Sequence, residues 1–193
     1  MNEEMELFRE NVKRFIEAEV IPNYEQWEHD EIFPRELWNK LGEQGLLAVD
    51  IPETYGGFGT DFLFSMVIQE EFAKANCGAV GGPMAVHSDI VAHYILNCGT
   101  EEQKSRYLPQ MVSGECVGAV AMTEPGAGSD LQGVRTRAKR DGDDYVINGS
   151  KTFITNGQHC DMVIVVARTN LEVSGAKGTT LFMVDTNTPG FTR

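Results

Sequence analysis

Near residue 115 the sequence changes its period, and that change limits the fold more than any other feature. Up to that point apolar residues recur three and four positions apart, which puts them on one face of a helix. Met5, Phe8, Val12, Phe15, Ile16 and Val20 form the first such series, and Pro22 is expected to end it. A second helix is predicted from about Pro34, with Leu37, Trp38 and Leu41 on its buried face and Gly45 as its stop. After the loop Tyr55-Gly56-Gly57-Phe58-Gly59, Asp61 can cap a third helix that carries Phe62, Met66 and Val67 and runs to about Asn76. A fourth carries Val86, Ile90, Val91, Tyr94 and Ile95 and closes at Gly99. Thr100-Glu101-Glu102-Gln103 is a capping box that opens a fifth, which ends by Gly114. Beyond it come short runs of Val, Ile, Phe and Thr bounded by Gly, Asn and Asp. They predict strands near 116–123, 134–140, 144–148, 151–155, 161–168 and 179–185. Asn148-Gly149 and Asn156-Gly157 are tight-turn signals between them.

The expected class is therefore α+β: an all-α domain over residues 1–115 followed by a barrel-like β-domain over 116–193. The last residues, Thr188-Pro189-Gly190-Phe191-Thr192-Arg193, form a turn and no closing element, so the barrel is expected to be incomplete, with edges that something else covers. A hydrophobic fraction of 41% and a charged fraction of 23% are those of a soluble protein, and no apolar run is long enough to span a bilayer. A net charge of -13 disfavours nucleic acid as a partner. Cys77, Cys98, Cys116 and Cys160 lie far apart, without the spacing of a zinc site, and read as reduced thiols. With no basic, apolar leader ahead of Asn2-Glu3-Glu4, a cytoplasmic location is expected.

Two segments can carry chemistry. In Ala121-Met122-Thr123-Glu124-Pro125-Gly126-Ala127-Gly128-Ser129-Asp130 a strand delivers Thr123 to a turn where glycines remove side chains. Backbone N–H groups and the Ser129 hydroxyl can then approach a ligand closely. The segment reads equally well as a glycine-rich connection between two strands. It is not a Rossmann fingerprint, because Leu131 stands where the third glycine belongs and a strand pattern follows. Gly149-Ser150-Lys151-Thr152 is likewise not a P-loop, since Ser150 separates glycine from lysine and the surroundings are β. In the second segment, Ile147 to Gly157, a strand would turn Phe153 and Thr155 to one face and offer a ring and a hydroxyl together to a flat heteroaromatic ligand. Taken alone, Phe153 is more simply a core residue of a hairpin. His87 and His93 are six apart, off a common helix face, and read as satisfied histidines rather than metal ligands. Arg135, Arg137, Lys139 and Arg140 read as a solvated face, with attraction for phosphates as a secondary possibility.

Together the two segments resemble acyl-CoA dehydrogenases in residue type, order and separation. The resemblance extends from the first helix, through Glu19-Val20-Ile21-Pro22 and Trp27, to the last strand, and its wording is nearest the long-chain type. It implies that the β-domain holds one side of FAD, with Val120, Met122, Thr123, Gly128 and Ser129 against the flavin. Phe153 would pack on the isoalloxazine ring, with Ile154 beside it and Thr155 hydrogen-bonding near N5. Ser129 would also meet the pantetheine arm of the acyl-CoA, with Lys177 as a second CoA contact, and Gly82 to Ser88 would resemble the acyl-pocket wall, where ordinary helix packing explains any single residue as well. The implied reaction is α,β-dehydrogenation of a medium- or long-chain acyl-CoA, with an electron-transferring flavoprotein as acceptor and a homotetramer as the assembly. The base in that family is a glutamate of a C-terminal helical domain, which is expected to lie outside this chain, and Glu124 is expected to be structural. Two other readings accompany it: a binding or oligomerisation module without catalysis, and an acyl-CoA oxidase or flavin monooxygenase of the same fold.

Overall fold

A computed structural model describes residues 3–173 and 175–193. The chain divides into two compact units, Met1–Val117 and Gly118–Arg193.

The first unit is helical: α1 (Glu3–Phe15), α2 (Ile21–His29), α3 (Glu36–Glu43), α4 (Leu63–Lys74), α5 (Gly78–Ala85), α6 (Ala92–Cys98) and α7 (Glu101–Val112). The first two predicted faces supply much of its core, with Val12, Phe15, Ile16, Val20, Leu37, Trp38 and Leu41 buried. Phe62 and Met66 of the third and Ile90 of the fourth are exposed, and Phe64, Ile68 and Phe72 are buried on α4 instead. Pro22 does not end the first helix. A π-turn over Ile16–Val20 joins α1 to α2, and the Ile21 N–H reaches back to the Ile16 carbonyl. The widened turn starts a new α-segment in which Pro22 occupies the first turn, where its missing N–H costs nothing. The fourth predicted helix also begins earlier. Gly78–Ala85 is helical in spite of its glycines, and a second π-turn, Val86–Val91, runs it into α6. Gly81 lets α5 approach α4 closely, because a Cβ there would stand 3.0 Å from that of Phe72. The capping box is complete: Thr100 Oγ1 accepts from the Gln103 N–H and Gln103 Oε1 from the Thr100 N–H.

The second unit is a mixed five-stranded sheet of β1 (Gly118–Ala121), β2 (Arg137–Asp141), β3 (Asp144–Asn148), β4 (Met162–Arg168) and β5 (Thr179–Asp185), in the order β1-β4-β2-β3 with β5 on the other edge of β4. β4 is parallel to β1 and, at Arg168, to β2, and antiparallel to β5. β2 and β3 form a hairpin that turns at Gly142, whose φ of 64° favours glycine. The sheet curls. Ile147 of β3 and Val184 of β5 pack on one cluster with Ala119, Ala121, Cys160, Val163 and Val165, and the Tyr145 and Phe182 rings lie 5.1 Å apart. This is the barrel-like α+β arrangement expected, with a correction at the predicted fourth strand and at the Asn148-Gly149 turn before it, which joins no hairpin. Residues 151–155 form no strand but an irregular loop. Their β-rich composition is used to lay the loop across the Met122–Glu124 segment, with Thr152 rather than a whole ladder bonded to it.

Candidate functional site

The glycine-rich turn and the irregular loop meet at the end of β1. The Thr152 N–H donates to the Thr123 carbonyl at 3.0 Å, and the Thr123 hydroxyl donates to the Thr152 carbonyl. Lys151 Nζ donates to the Met122 carbonyl at 2.8 Å and to the Glu124 carboxylate at 2.9 Å. Further along, the Asn156 side-chain amide donates to the Gly118 carbonyl at 3.1 Å, and Arg193 donates to the carbonyls of Gly157 and Cys160. The loop is thus pinned at both ends. The two segments that sequence alone could only place in one unit are neighbours.

Between those pins stands Phe153, 95% exposed and with a φ of 55°. A bulky residue in the left-handed region is an outlier that costs about 1–3 kcal/mol. The strain yields no packing against protein. The expectation that Phe153 belongs to a hairpin core is therefore overturned, and so is the strand geometry that was to turn Phe153 and Thr155 to one face. The loop brings them out differently, with both residues exposed and Ile154 between them packed on the inner cluster.

The glycine-rich turn is tight. Glu124 and Ala127 exchange two backbone hydrogen bonds of 3.0 Å around Pro125-Gly126. Neither Gly126 nor Gly128 is in the left-handed region, and a Cβ on either would meet nothing within 4 Å. Neither backbone geometry nor crowding demands glycine at these positions. What glycine leaves is open space beside exposed backbone, which is the requirement for a ligand to lie against it. Val120 is half-buried at the end of β1, Met122 and Thr123 are half-buried after it, and Ser129 is exposed. The turn bearing Lys177, Gly175–Gly178, lies against Leu131–Gly133, with Gly175 facing the Gln132 side chain. Lys177 itself is exposed. The turn bearing Lys177 thus packs on the turn that begins two residues after Ser129.

Glu124 is buried, and the N–H groups of Arg135 and Thr136 donate to its two oxygens at 2.6 and 2.9 Å. Burial pushes its pKa up, but the hydrogen bonds from Thr136, Arg135 and Lys151 outweigh it and hold the carboxyl at about 2. A carboxylate so occupied orders the chain and is a poor proton acceptor. Lys151 was considered in the sequence only to dismiss a P-loop. Its role in joining the two segments has no local sequence signal, because both partners lie 27 or more residues upstream.

In the helical unit, Met84, His87 and Ser88 are interior. His87 Nε2 lies 3.0 Å from the Met111 carbonyl and its ring 5.1 Å from that of Trp38, while Ser88 Oγ accepts from the Ala48 N–H. His93 pairs with Asp50 at 2.9 Å. Among the described residues no group of side chains could hold a metal, all four cysteines are free, and no helix is long and apolar enough to cross a membrane.

Residues 2–115 match the model of the acyl-CoA dehydrogenase N-terminal domain and residues 119–193 that of the acyl-CoA dehydrogenase middle domain. The chain is 54% identical over 189 residues to the mitochondrial long-chain specific acyl-CoA dehydrogenase of Rattus norvegicus, covering 97% of this chain and 44% of that protein. The chain thus spans less than half the length of this relative. Among solved structures, the acyl-CoA dehydrogenase from Geobacillus kaustophilus superimposes with a TM-score of 0.92 at 46% identity, over 98% of this chain and 50% of that one. A glutaryl-CoA dehydrogenase from Mycobacterium smegmatis in complex with FADH2 gives 0.90 at 33% identity, over 100% and 48%. Two successive domain models that together take in nearly every residue, and a fold shared at this identity, leave one assignment: the chain belongs to the acyl-CoA dehydrogenase family.

Proposed function

We propose that the protein acts as an FAD-dependent acyl-CoA dehydrogenase, an oxidoreductase that introduces a double bond between the α and β carbons of a fatty acyl-CoA. The observation that carries this reading is Phe153. An aromatic ring held in strained backbone and 95% exposed, on a loop pinned to a glycine turn with open space beside it, suits a flat heteroaromatic ring and no protein partner in its own unit. In this reading Val120, Met122, Thr123, Gly128 and Ser129 line the flavin, Phe153 supports its ring, and Ile154 and Thr155 offer the adjoining loop. The Thr123 hydroxyl has its proton committed to Thr152, so it meets the flavin edge as an acceptor. Ser129 and Lys177 take the CoA portion. Bound FAD supplies the hydride acceptor, and the protein's part is to bind, orient and exclude water. Glu124 is excluded as the base by its burial and by the three hydrogen bonds that hold it ionised. The base is a carboxylate outside the candidate site.

A long acyl chain is favoured by the identity to the long-chain relative, an electron-transferring flavoprotein is the proposed acceptor, and the assembly is a homotetramer, with residues 1–115 and 116–193 as its helical and β domains. The compartment is proposed as cytoplasmic, although the long-chain relative named above is mitochondrial.

The test is a titration of the purified protein with FAD, followed by flavin fluorescence, and then addition of saturated acyl-CoA esters of increasing length. Saturable FAD binding, and bleaching of the flavin's visible absorption by acyl-CoA in the complete enzyme, are expected. A protein that takes up no FAD overturns the reading.

A further inference from the structure

Lys151 and Glu124 form an ion pair that the dehydrogenation does not require, and it lies where the two candidate flavin segments cross. Their side chains are only 10% and 7% exposed. The same carboxylate takes the N–H groups of Arg135 and Thr136, and the same ammonium takes the Met122 carbonyl. Three stretches of chain, 122–124, 135–136 and 151, therefore converge on two side chains.

Stability alone is a weak reason for such a pair. Removing two charges from water offsets most of their attraction, and apolar side chains of similar size hold segments together as well. What a hydrogen-bonded pair adds is a fixed spacing, because its donors and acceptors fit at one separation only. The spacing it fixes here has a direct reading. Lys151 precedes Phe153 by two residues, and the carbonyl it holds is that of Met122, next to Thr123. The Thr123–Thr152 bonds join the same two segments but do not reach residues 135–136.

We propose that Lys151 is a positioning residue for the flavin, which through Glu124 and the Met122 carbonyl sets the distance between the Met122–Thr123 backbone and the Phe153 ring. The inference rests on the FAD reading of the site. Lys151 touches neither flavin nor substrate and works through these two neighbours.

The experiment compares Lys151→Met and Lys151→Arg with the wild type and with Lys13→Met, a control on α1 outside the candidate site, in the complete protein. Fold is checked by far-UV circular dichroism, FAD affinity by fluorescence, and the flavin environment by its visible absorption maximum and reduction potential. Lys151→Met is expected to stay folded, to bind FAD about tenfold more weakly, as for the loss of a charged hydrogen bond, and to shift the absorption maximum. Lys151→Arg is expected to recover affinity to within about threefold while leaving the maximum and potential displaced, since its planar fork keeps the charge but changes the spacing. Lys13→Met is expected to match the wild type. A folded Lys151→Met with wild-type affinity and spectrum overturns the proposal. If Lys151→Met does not fold, a Lys151→Arg protein with the wild-type spectrum and potential overturns it instead, because the lysine is then needed only for folding. A wild-type protein that takes up no FAD removes the functional reading itself, and the inference with it.

Discussion

Phe153 sets stability against function within one residue. Its φ of 55° costs about 1–3 kcal/mol for a side chain with a Cβ and nothing for glycine. Because the ring is almost wholly exposed, removing it sacrifices little packing. Phe153→Gly is therefore expected to leave the thermal midpoint of the FAD-free protein unchanged or a few degrees higher, the strain relieved being partly offset by the freer unfolded chain. The same substitution is expected to weaken FAD binding tenfold or more, the usual worth of one aromatic stacking partner. Phe153→Trp keeps the platform and should keep affinity within a few-fold. A Phe153→Gly protein that melts well below both the wild type and Phe153→Trp, with FAD affinity unchanged, would show that the ring serves the fold instead. Glu124 gives a second residue-scale expectation, through pH. Its folded pKa, about 2, is below the unfolded value of a glutamate, so its contribution is complete at neutral pH and is lost as pH falls from about 5 towards 2. Glu124→Gln should lower the thermal midpoint at pH 7, and the gap to wild type should narrow as the pH is brought to 3. A gap that is constant with pH would mean that the carboxylate is not held ionised by the fold. At this scale the sequence was informative about residue type and silent about conformation. Phe153, Thr155 and the glycines were recognisable as candidates, but a left-handed aromatic is the result of pins at Lys151, Thr152 and Asn156 that no local pattern encodes.

At the scale of elements, legibility follows how local the determinants are. The capping box of α7 is a four-residue matter, and both its hydrogen bonds are present. Thr100→Ala is accordingly expected to destabilise the helical unit by about 1 kcal/mol, measured by denaturant unfolding, and Thr100→Ser to restore it. An unchanged midpoint in Thr100→Ala would mean that α7 is held by Tyr107, Leu108 and Met111 alone. The two π-turns were not legible. Each is set by packing on both sides, as at Ile16 and Val20, which are both buried and keep the chain helical through Pro22. α5 was not legible either, because its glycines disfavour a helix in isolation and are needed for close contact with α4. Gly149 was mistaken for a turn residue. A Cβ there would fall 2.2 Å from Thr136 Oγ1, so the glycine permits a close crossing rather than a hairpin.

For the molecule as a whole, the net charge of -13 misdescribes the part that holds the candidate site. Residues 118–193 carry eight Lys and Arg against eight Asp and Glu and are formally neutral, so the entire excess, twenty-one acids against eight bases, falls on residues 1–117. FAD and acyl-CoA are both anions, and a uniformly acidic protein would repel them, with salt relieving the repulsion. A neutral β unit makes a different prediction. Charges beyond about 10 Å are largely screened at 0.1 M salt, so only groups close to the flavin affect its binding there, and those carried by Gly118–Arg193 are balanced. The FAD dissociation constant is therefore expected to change by less than about threefold between 0.1 M and 0.3 M salt. The acyl-CoA, whose phosphates meet Lys177 in the proposed arrangement, should bind more weakly as salt is added, and Lys177→Met should flatten that dependence. FAD binding that instead strengthens markedly with salt would place uncompensated acidic groups within reach of the cofactor. The neutral balance of the β unit would then not be what admits an anion to this protein.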